Sequence, residues 1–426
     1  MRLSSVGRIA GGGALAVVGA YAAQGAQFRR VAGDTIDLPD PPVPGSPAFA
    51  RLVEGWCGGP MREANRVELL RDGAEIFPSV LTAIAGAQRT IDFSTYIFWS
   101  GELPTMVAEA LIERADAGVE VNVLVDGWGS APMDRRLVKR FERSKVHFAW
   151  YRTPQWYNVD KYNHRTHRRV LVIDGTLGFT GGLGIADEWA GEAKDPSHWR
   201  ETHVQVEGPA VHDILRAFHD NWIDATGRVL GAHHFPDLQS FDDGVCVQVS
   251  RSSAVQGRAP AEHLFAAVIL GARERLWFTT AYFAPRRGLV DMLAAAALRG
   301  VDVRVVVNGP HIDKEVARRA GHRSYERLLE VGVRVFEYQR TILHAKVAIA
   351  DDAWANVGTA NFDNRSLALQ DELNLSVHDA GIVTELEKHF AEDFDASEEI
   401  DLQRWRQRPL VSRAYEYAGE LVRHSL

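Results

Sequence analysis

One unit is written twice in this chain, and the duplication limits the possible folds more than any other feature. Gly118-Val-Glu-Val-Asn-Val-Leu-Val-Asp-Gly127 returns about 180 residues later as Gly300-Val-Asp-Val-Arg-Val-Val-Val-Asn-Gly309. Each copy is an apolar run ending in an acid or amide plus glycine, the pattern of a buried parallel strand and its exit turn. A helical pattern precedes each one. Leu103, Met106, Val107, Ala110 and Leu111 share a face in the first, and Leu289, Leu293 and the Ala294–Ala297 run do so in the second. Ahead of each helix stands another strand, at 90–98 and 276–283, with Tyr96 and Tyr282 in matching places. Strand, helix, strand is a right-handed crossover, which predicts a largely parallel sheet covered by helices. Two copies at so long a period are too few for a solenoid. They imply an α/β fold of two homologous halves fused in one chain. The expected organisation is an apolar segment at 1–30, a linker at 31–59, halves at 60–230 and 243–395, and a helical tail at 396–426. A loop around His233–Asp237, marked by Gly231 and Pro236, separates the halves.

Each half carries a histidine, a cation two residues on and an aspartate seven residues on: His167, Arg169 and Asp174, then His344, Lys346 and Asp351. Both triplets run into apolar strand-like segments, 170–173 and 347–350. Residues i and i+2 of a strand share a face, so each histidine and its cation point the same way. The aspartates have opposite parity and sit at strand ends, which suits them to brace a turn, although the triplet places them in the candidate catalytic set. Fourteen residues after each histidine a glycine recurs, in Gly181-Gly182-Leu183-Gly184 and Gly358-Thr359-Ala360-Asn361. Beyond these, Glu201 and Glu372 open two further matching strands. A lone His-x-Lys pair is an ordinary strand feature; the whole pattern recurring in register is not.

Two histidines from two halves can divide a two-step displacement at phosphorus. One neutral imidazole attacks while the other, protonated, donates to the leaving oxygen. Glu201 and Glu372 are expected to fix the imidazole tautomers, and Arg169 and Lys346 to neutralise non-bridging phosphate oxygens, with Asn361 as a neutral donor. No metal ligand set and no cofactor are expected: there is no cysteine cluster, His-Glu-x-x-His helix or dense acidic loop.

On these residues the chain resembles the phospholipase D superfamily, with its duplicated His-x-Lys-x-x-x-x-Asp signature, and within it the bacterial cardiolipin synthases. Tyr96-Ile97-Phe98, Val125-Asp126-Gly127, 178–189 and 206–211 carry the likeness in the first half. In the second it is carried by Tyr282-Phe283-Ala284-Pro285 and 358–366. The motif stretches are 162–189 and 339–366, and the resemblance covers about residues 60–426. It implies two phospholipase D-like βα-sandwich halves, with one active site at their interface and a phosphatidyl-histidine intermediate. That intermediate passes to a phosphatidylglycerol hydroxyl, giving cardiolipin and glycerol, or to water. His167 is the expected nucleophile and His344 the expected acid, though the halves are alike enough for the reverse. Two positions depart from the pattern: Arg169 stands where the family has lysine, and Gly184 stands opposite Asn361.

Charge and apolar patterning bear on the partners. With 48 basic against 56 acidic residues and a net charge of −8, nucleic acid is not an expected partner, which counts against a nuclease of the same superfamily. Phospholipids, phosphatidylglycerol first, and a bacterial cell-membrane surface are. Positions 9–28 carry no charge but five glycines, which fits an anchor or a secretory signal. Trp150, Tyr151, Trp156, Tyr157 and Tyr162, interleaved with Arg152, Lys161, His164 and Arg165, suit either a bilayer interface or a buried rim. The basic run 134–145 suits a solvated helix face or a headgroup patch. A headgroup hydrolase and a lipid-binding pseudoenzyme remain as other functions that these residues permit. Because the body is acidic overall, removing residues 1–30 is expected to move the protein from the membrane to the soluble fraction, which sedimentation after cell lysis would test.

Overall fold

The computed structural model describes residues 36–153, 164–253 and 259–409. The segment 1–30, Trp156, Tyr157, Lys161, Tyr162 and the tail beyond 409 lie outside these. The first half contains β1 (Met61–Arg71), β2 (Thr90–Thr95), β3 (Glu120–Asp126), β4 (His147–Tyr151), β5 (Val170–Ile173), β6 (Leu177–Gly181) and β7 (Thr202–Glu207). The second contains β8 (Val245–Arg251), β9 (Arg275–Thr279), β10 (Phe283–Ala284), β11 (Asp302–Asn308), β12 (Arg334–Tyr338), β13 (Val347–Ala350), β14 (Trp354–Gly358), β15 (Phe362–Asp363), β16 (Leu373–His378) and β17 (Ser397–Glu399).

Fifteen of these strands form one sheet, ordered β17-β12-β11-β9-β13-β14-β16-β8-β1-β7-β6-β5-β2-β3-β4. Read outward from the β8–β1 seam, both halves repeat the same order of seven. That seam is antiparallel, pairing Met61 with Gln248 and Arg62 with Val247. The expected crossovers are present: β2–β3, β3–β4, β9–β11 and β11–β12 are parallel. The sheet is nonetheless mixed, because β5, β6 and β7, like β13, β14 and β16, pair antiparallel. The turn at 174–176 is too short for a parallel return, which needs a crossover of a dozen residues or more.

Alternation along the strands sorts side chains into layers. Val170 and Val172 face a core shared by both halves, whereas Leu171 and Ile173 face the first half's own core. In β13, Val347 and Ile349 face the shared core, and Ala348 and Ala350 the second half's own. The helices Val211–Thr226 and Ala380–Asp395 cover the shared side, and Glu102–Asp116 and Arg287–Leu298 are crossovers on the outer side. Leu103, Val107 and Leu111 are buried as the pattern requires, but Met106 is exposed because the apolar stripe is narrower than the spacing suggested.

Two boundaries differ from the sequence expectation. The 31–59 stretch is not only a linker. Its helix Pro47–Cys57, capped by Ser46, packs Phe49 edge-on against Trp354 in the second half's core. The segment after 396 opens with strand β17 on the edge of β12 before a short helix, Leu402–Arg406. Of the two readings open for the aromatic-basic stretch, Tyr151 and Arg165 follow the buried one, and both are polar-bonded. The basic run does form a helix, Arg135–Arg143. No described helix is long and apolar enough to cross a membrane.

The structure also sets the two motif aspartates apart from any reacting group. Asp174 accepts backbone N–H bonds from Gln88, Arg89 and Thr90, and Asp351 accepts them from Arg273, Glu274 and Arg275. Both adopt positive φ, 52° and 48°, a conformation aspartate tolerates better than most residues. Each thus ties its hairpin turn to the start of the neighbouring strand and is a structural brace, not a catalytic group. Asp351→Ala is expected to lower unfolding free energy by about 2–4 kcal/mol, because three N–H groups lose a charged acceptor. Turnover per folded molecule should remain. Denaturant unfolding alongside kcat measures both, and a lost kcat at unchanged stability would reverse the assignment.

Candidate active site

The two motif histidines lie just before β5 and β13, in extended segments that leave their own half. Thr166 bridges Asp371 in the parallel sense, and Arg200 bridges Leu343. The N–H of His167 donates to the carbonyl of Asp371 at 2.9 Å, and the N–H of His344 donates to that of Arg200 at 2.8 Å. Each half therefore lends the start of one strand to the other half's motif. The next residue in each lent segment is the glutamate.

The result is a pair of crossed contacts. Nδ1 of His167 lies 2.9 Å from Oε1 of Glu372, and Nδ1 of His344 lies 2.8 Å from Oε2 of Glu201. Both glutamates are fully buried, and both histidines nearly so. With Nδ1 turned to a carboxylate, Nε2 of each ring is left as the reactive atom. Arg169 and Lys346 follow on the same faces as their histidines. Nη1 of Arg169 donates to the His167 carbonyl, while its Nε and Nη2 are buried with no partner among the described residues. Two guanidinium nitrogens free in a buried site suit an anion's oxygens, and arginine there keeps the positive charge of a lysine. Lys346 bonds the His344 carbonyl and lies 2.9 Å from His344 Nδ1.

Polar residues that sequence reasoning passed over hold the crossing in place. Asp126, at the end of β3, pairs with Arg165 at 2.8 Å and accepts the N–H of Thr166. Its counterpart Asn308 accepts the N–H of Leu343 and donates to its carbonyl. Asp371 accepts from Tyr151 Oη and Asn221 Nδ2 of the first half, both at 2.8 Å, and Arg200 forks onto Asp393 of the second. The acid or amide closing each repeated strand was the visible signal for Asp126 and Asn308. Nothing in the sequence marked Asp371 or Arg200.

The halves are not equivalent. Thr359 donates to Glu372, with Ser366 also bonded to it. The first half has Gly182 and Trp189 at these positions, and the Trp189 indole reaches Glu201 at 3.4 Å. This also explains Gly184. A Cβ there would stand 2.9 Å from the Trp189 ring, so the indole fills the space that Asn361 uses in the other half. His344 is flanked by Trp189 and Trp199, with ring centroids 5.0 and 5.5 Å away. His167 meets Tyr96 and opens instead onto a cavity between the halves, lined also by Tyr282, Lys314, Asn361 and Arg365. The Asn361 side-chain oxygen is buried there without a partner among the described residues.

Electrostatics follow from burial among cations. Burial, with Arg169 and Lys346 close by, holds His167 well below the usual imidazole range. Burial and Lys346 bring His344 to about 4, opposed by Glu201. Burial raises Glu201, but Lys346 and the His344 hydrogen bond outweigh it and bring the carboxyl to about 2. Glu372 is pushed up to about 8 by burial, which Thr359 and Arg169 offset only in part. Burial lowers Lys346 to about 7. At neutral pH His167 is thus an unprotonated imidazole facing a cavity, and His344 is backed by an ionised carboxylate.

The family model described as "Cardiolipin synthase, PLD-like domain" matches residues 80–222 and 265–394. A cardiolipin synthase of a Geobacillus species is 33% identical over 368 residues, covering 85% of this chain and 73% of that one. Cardiolipin synthase 1 of Bacillus cereus is 29% identical over 384 residues, covering 88% and 75%. Among solved structures, a phosphatidylserine synthase of Haemophilus influenzae superposes with a TM-score of 0.65 at 15% identity, over 88% of this chain and 99% of that one, a likeness of fold. A family model that spans both halves of the repeat, and relatives matched over most of their length, establish that this chain belongs to the cardiolipin synthase family of phospholipase D-like proteins.

Proposed function

We propose that the protein is a phosphatidyltransferase that makes cardiolipin from two phosphatidylglycerol molecules through a phosphohistidine intermediate. The observation that carries this is the crossed pair of His–Glu contacts, which gives one buried site two oriented imidazoles and two cations. In the first step Nε2 of His167 attacks the phosphorus, the bond to the glycerol oxygen breaks, and His344 supplies the proton that the leaving oxygen needs. In the second, the hydroxyl of another phosphatidylglycerol attacks phosphorus, its proton passes to His344, and the P–N bond breaks. Arg169 and Lys346 neutralise the equatorial oxygens in both steps. The opening of the cavity at His167 favours that residue as the nucleophile. A bound phosphodiester anion among these cations raises both imidazoles toward the protonation that His344 requires. The enzyme acts at a bacterial membrane surface, where both substrates reside.

The direct test incubates pure protein with labelled phosphatidylglycerol in a chelator. Cardiolipin with stoichiometric glycerol is the expected outcome. Phosphatidate would indicate hydrolysis, and no turnover a binding protein. His167→Ala and His344→Ala should each reduce kcat at least 10⁴-fold, an order of magnitude taken from paired acid–nucleophile sites. An acid-labile phosphatidyl adduct should be trapped on His167 alone, and full activity in either variant would refute a shared site.

The depressed Lys346 gives a second expectation. Below about pH 7 it carries its proton; above that it is neutral and neutralises phosphate poorly. Because kcat/KM reports the free enzyme, it should fall as pH rises through this range, and Lys346→Arg, which stays charged, should move that limb upward by more than one pH unit. An unmoved limb would assign it to another group.

A further inference from the structure

At the end of the first half opposite to the active site, Glu120, His233 and His234 converge, and we propose that they bind a divalent transition metal ion, zinc in the first instance. Oε2 of Glu120 lies 2.9 Å from Nε2 of His233, and Oε1 lies 3.3 Å from Nε2 of His234. All three prospective ligand atoms are within 4.8 Å of one another. Zinc takes nitrogen at about 2.0–2.1 Å and carboxylate oxygen at a similar distance, so a small rotation of the exposed His233 ring closes the set. Two imidazoles and one carboxylate leave a fourth position for water.

The groups behind these ligands are those a metal site requires. Nδ1 of His234 lies 2.7 Å from Oδ2 of Asp92, and both side chains are fully buried. A carboxylate on the far nitrogen fixes the tautomer that presents Nε2 and raises its basicity as a ligand. Asp92 is itself oriented by Asn122, which donates to Oδ1 at 2.9 Å, and Asn122 in turn meets His147 Nδ1 at 3.0 Å. Of the neighbouring cations, the Arg89 guanidinium is occupied by the carbonyl of His233. The two carboxylates then balance the charge of a divalent ion held by neutral imidazoles.

The repeat indicates that the fold does not require this cluster. The strand positions matching Asp92 and Asn122 are Trp277 and Arg304, paired across β9 and β11. There the guanidinium lies 4.7 Å from the indole centroid, and Phe394 packs alongside. The same site in the sheet is thus filled by stacking in one half and by a polar chain leading to the buried His234 imidazole in the other. A gap of 113 residues between Glu120 and His233 hid the set from sequence inspection, where no metal ligands were expected. The ion would tie the start of β3 to the connector between the halves. That connector already lies close against the turn after Asp174, where a Cβ on Gly175 would stand 2.3 Å from the His234 carbonyl.

This site is separate from the phosphatidyl-transfer chemistry. Glu120 opens β3 and Asp126 closes it beside the motif, roughly 20 Å apart at 3.3 Å per residue. The test uses the untagged full chain, stripped with a chelator, dialysed and titrated with zinc by calorimetry. One ion per chain with a Kd below about 10 µM is expected, with Co²⁺ giving visible d–d bands at the same stoichiometry. His233→Ala and Glu120→Gln should each weaken binding at least tenfold, and Asp92→Asn should do so through His234. Circular dichroism should match the parent. A chain in which His167 and His344 are both alanine should bind as the parent does. Absence of both heat and cobalt bands at 1 mM metal would overturn the proposal. So would binding that survives in His233→Ala and Glu120→Gln, or binding lost with the two motif histidines, whatever the outcome for phosphatidyl transfer.

Discussion

Two imidazoles and two carboxylates are buried between the halves, and each imidazole meets the carboxylate of the other half. An isolated ion in such surroundings is costly by several kcal/mol. Lys346 and the His344 hydrogen bond offset it for Glu201, and Thr359 and Arg169 offset it in part for Glu372, which also meets His167. Much of the remaining architecture serves that requirement. The seam between β1 and β8 sets the halves in register, and the shared core beneath contains residues of both. The lent segments that carry the glutamates are tied down by Asp371 with Tyr151 and Asn221, and by Arg200 with Asp393.

Duplication provides the pair, and divergence gives its members different surroundings. Hydroxyls of Thr359 and Ser366 surround Glu372, whereas Glu201 has the Trp189 indole and the charge of Lys346. His344 is enclosed by two tryptophans, and His167 is the ring with access to the cavity. A displacement needs one accessible nucleophile and one proton carrier kept from bulk water, so this asymmetry suits the division of labour proposed above. Gly184 belongs to the same divergence. It loses an amide because the indole that shields His344 needs the room.

Much of this was legible in the chain because it repeats. Local periodicity located β3 and β11 and their crossover helices, and the recurring triplet with its glycine and glutamate pointed to the residues that the structure brings together between the halves. Strand parity even placed Asp174 and Asp351 on the wrong face for chemistry, although their motif position put them among the candidates. What could not be read was pairing between distant segments. The sheet appeared largely parallel because crossovers leave a long apolar signature, whereas the hairpins β5–β6 and β13–β14 are short runs without direction. The crossing of Glu201 and Glu372 was hidden for the same reason: within one half each glutamate follows its own histidine at a similar distance, so sequence order gives no hint of exchange. The stretch with Arg165 and Tyr151 left a bilayer interface and a buried rim both open, because an aromatic-basic mixture looks alike at a bilayer and around a buried ion pair.

The exchange has a consequence for how such a protein is assembled. The parallel strands and most of the outer core of each half come from its own residues, although Phe49 from the leading helix enters that of the second. A half alone would expose the face that becomes the shared core, and it would carry a histidine without its carboxylate. Docking of the halves therefore completes hydrophobic burial and the catalytic set in one event, and neither can be gained without the other. A substitution at the seam or in the shared core acts on catalysis through that link without touching a reacting atom, because a loosened interface separates both His–Glu pairs together. The chain thus cannot populate a docked interface with an open, half-assembled site at low free-energy cost.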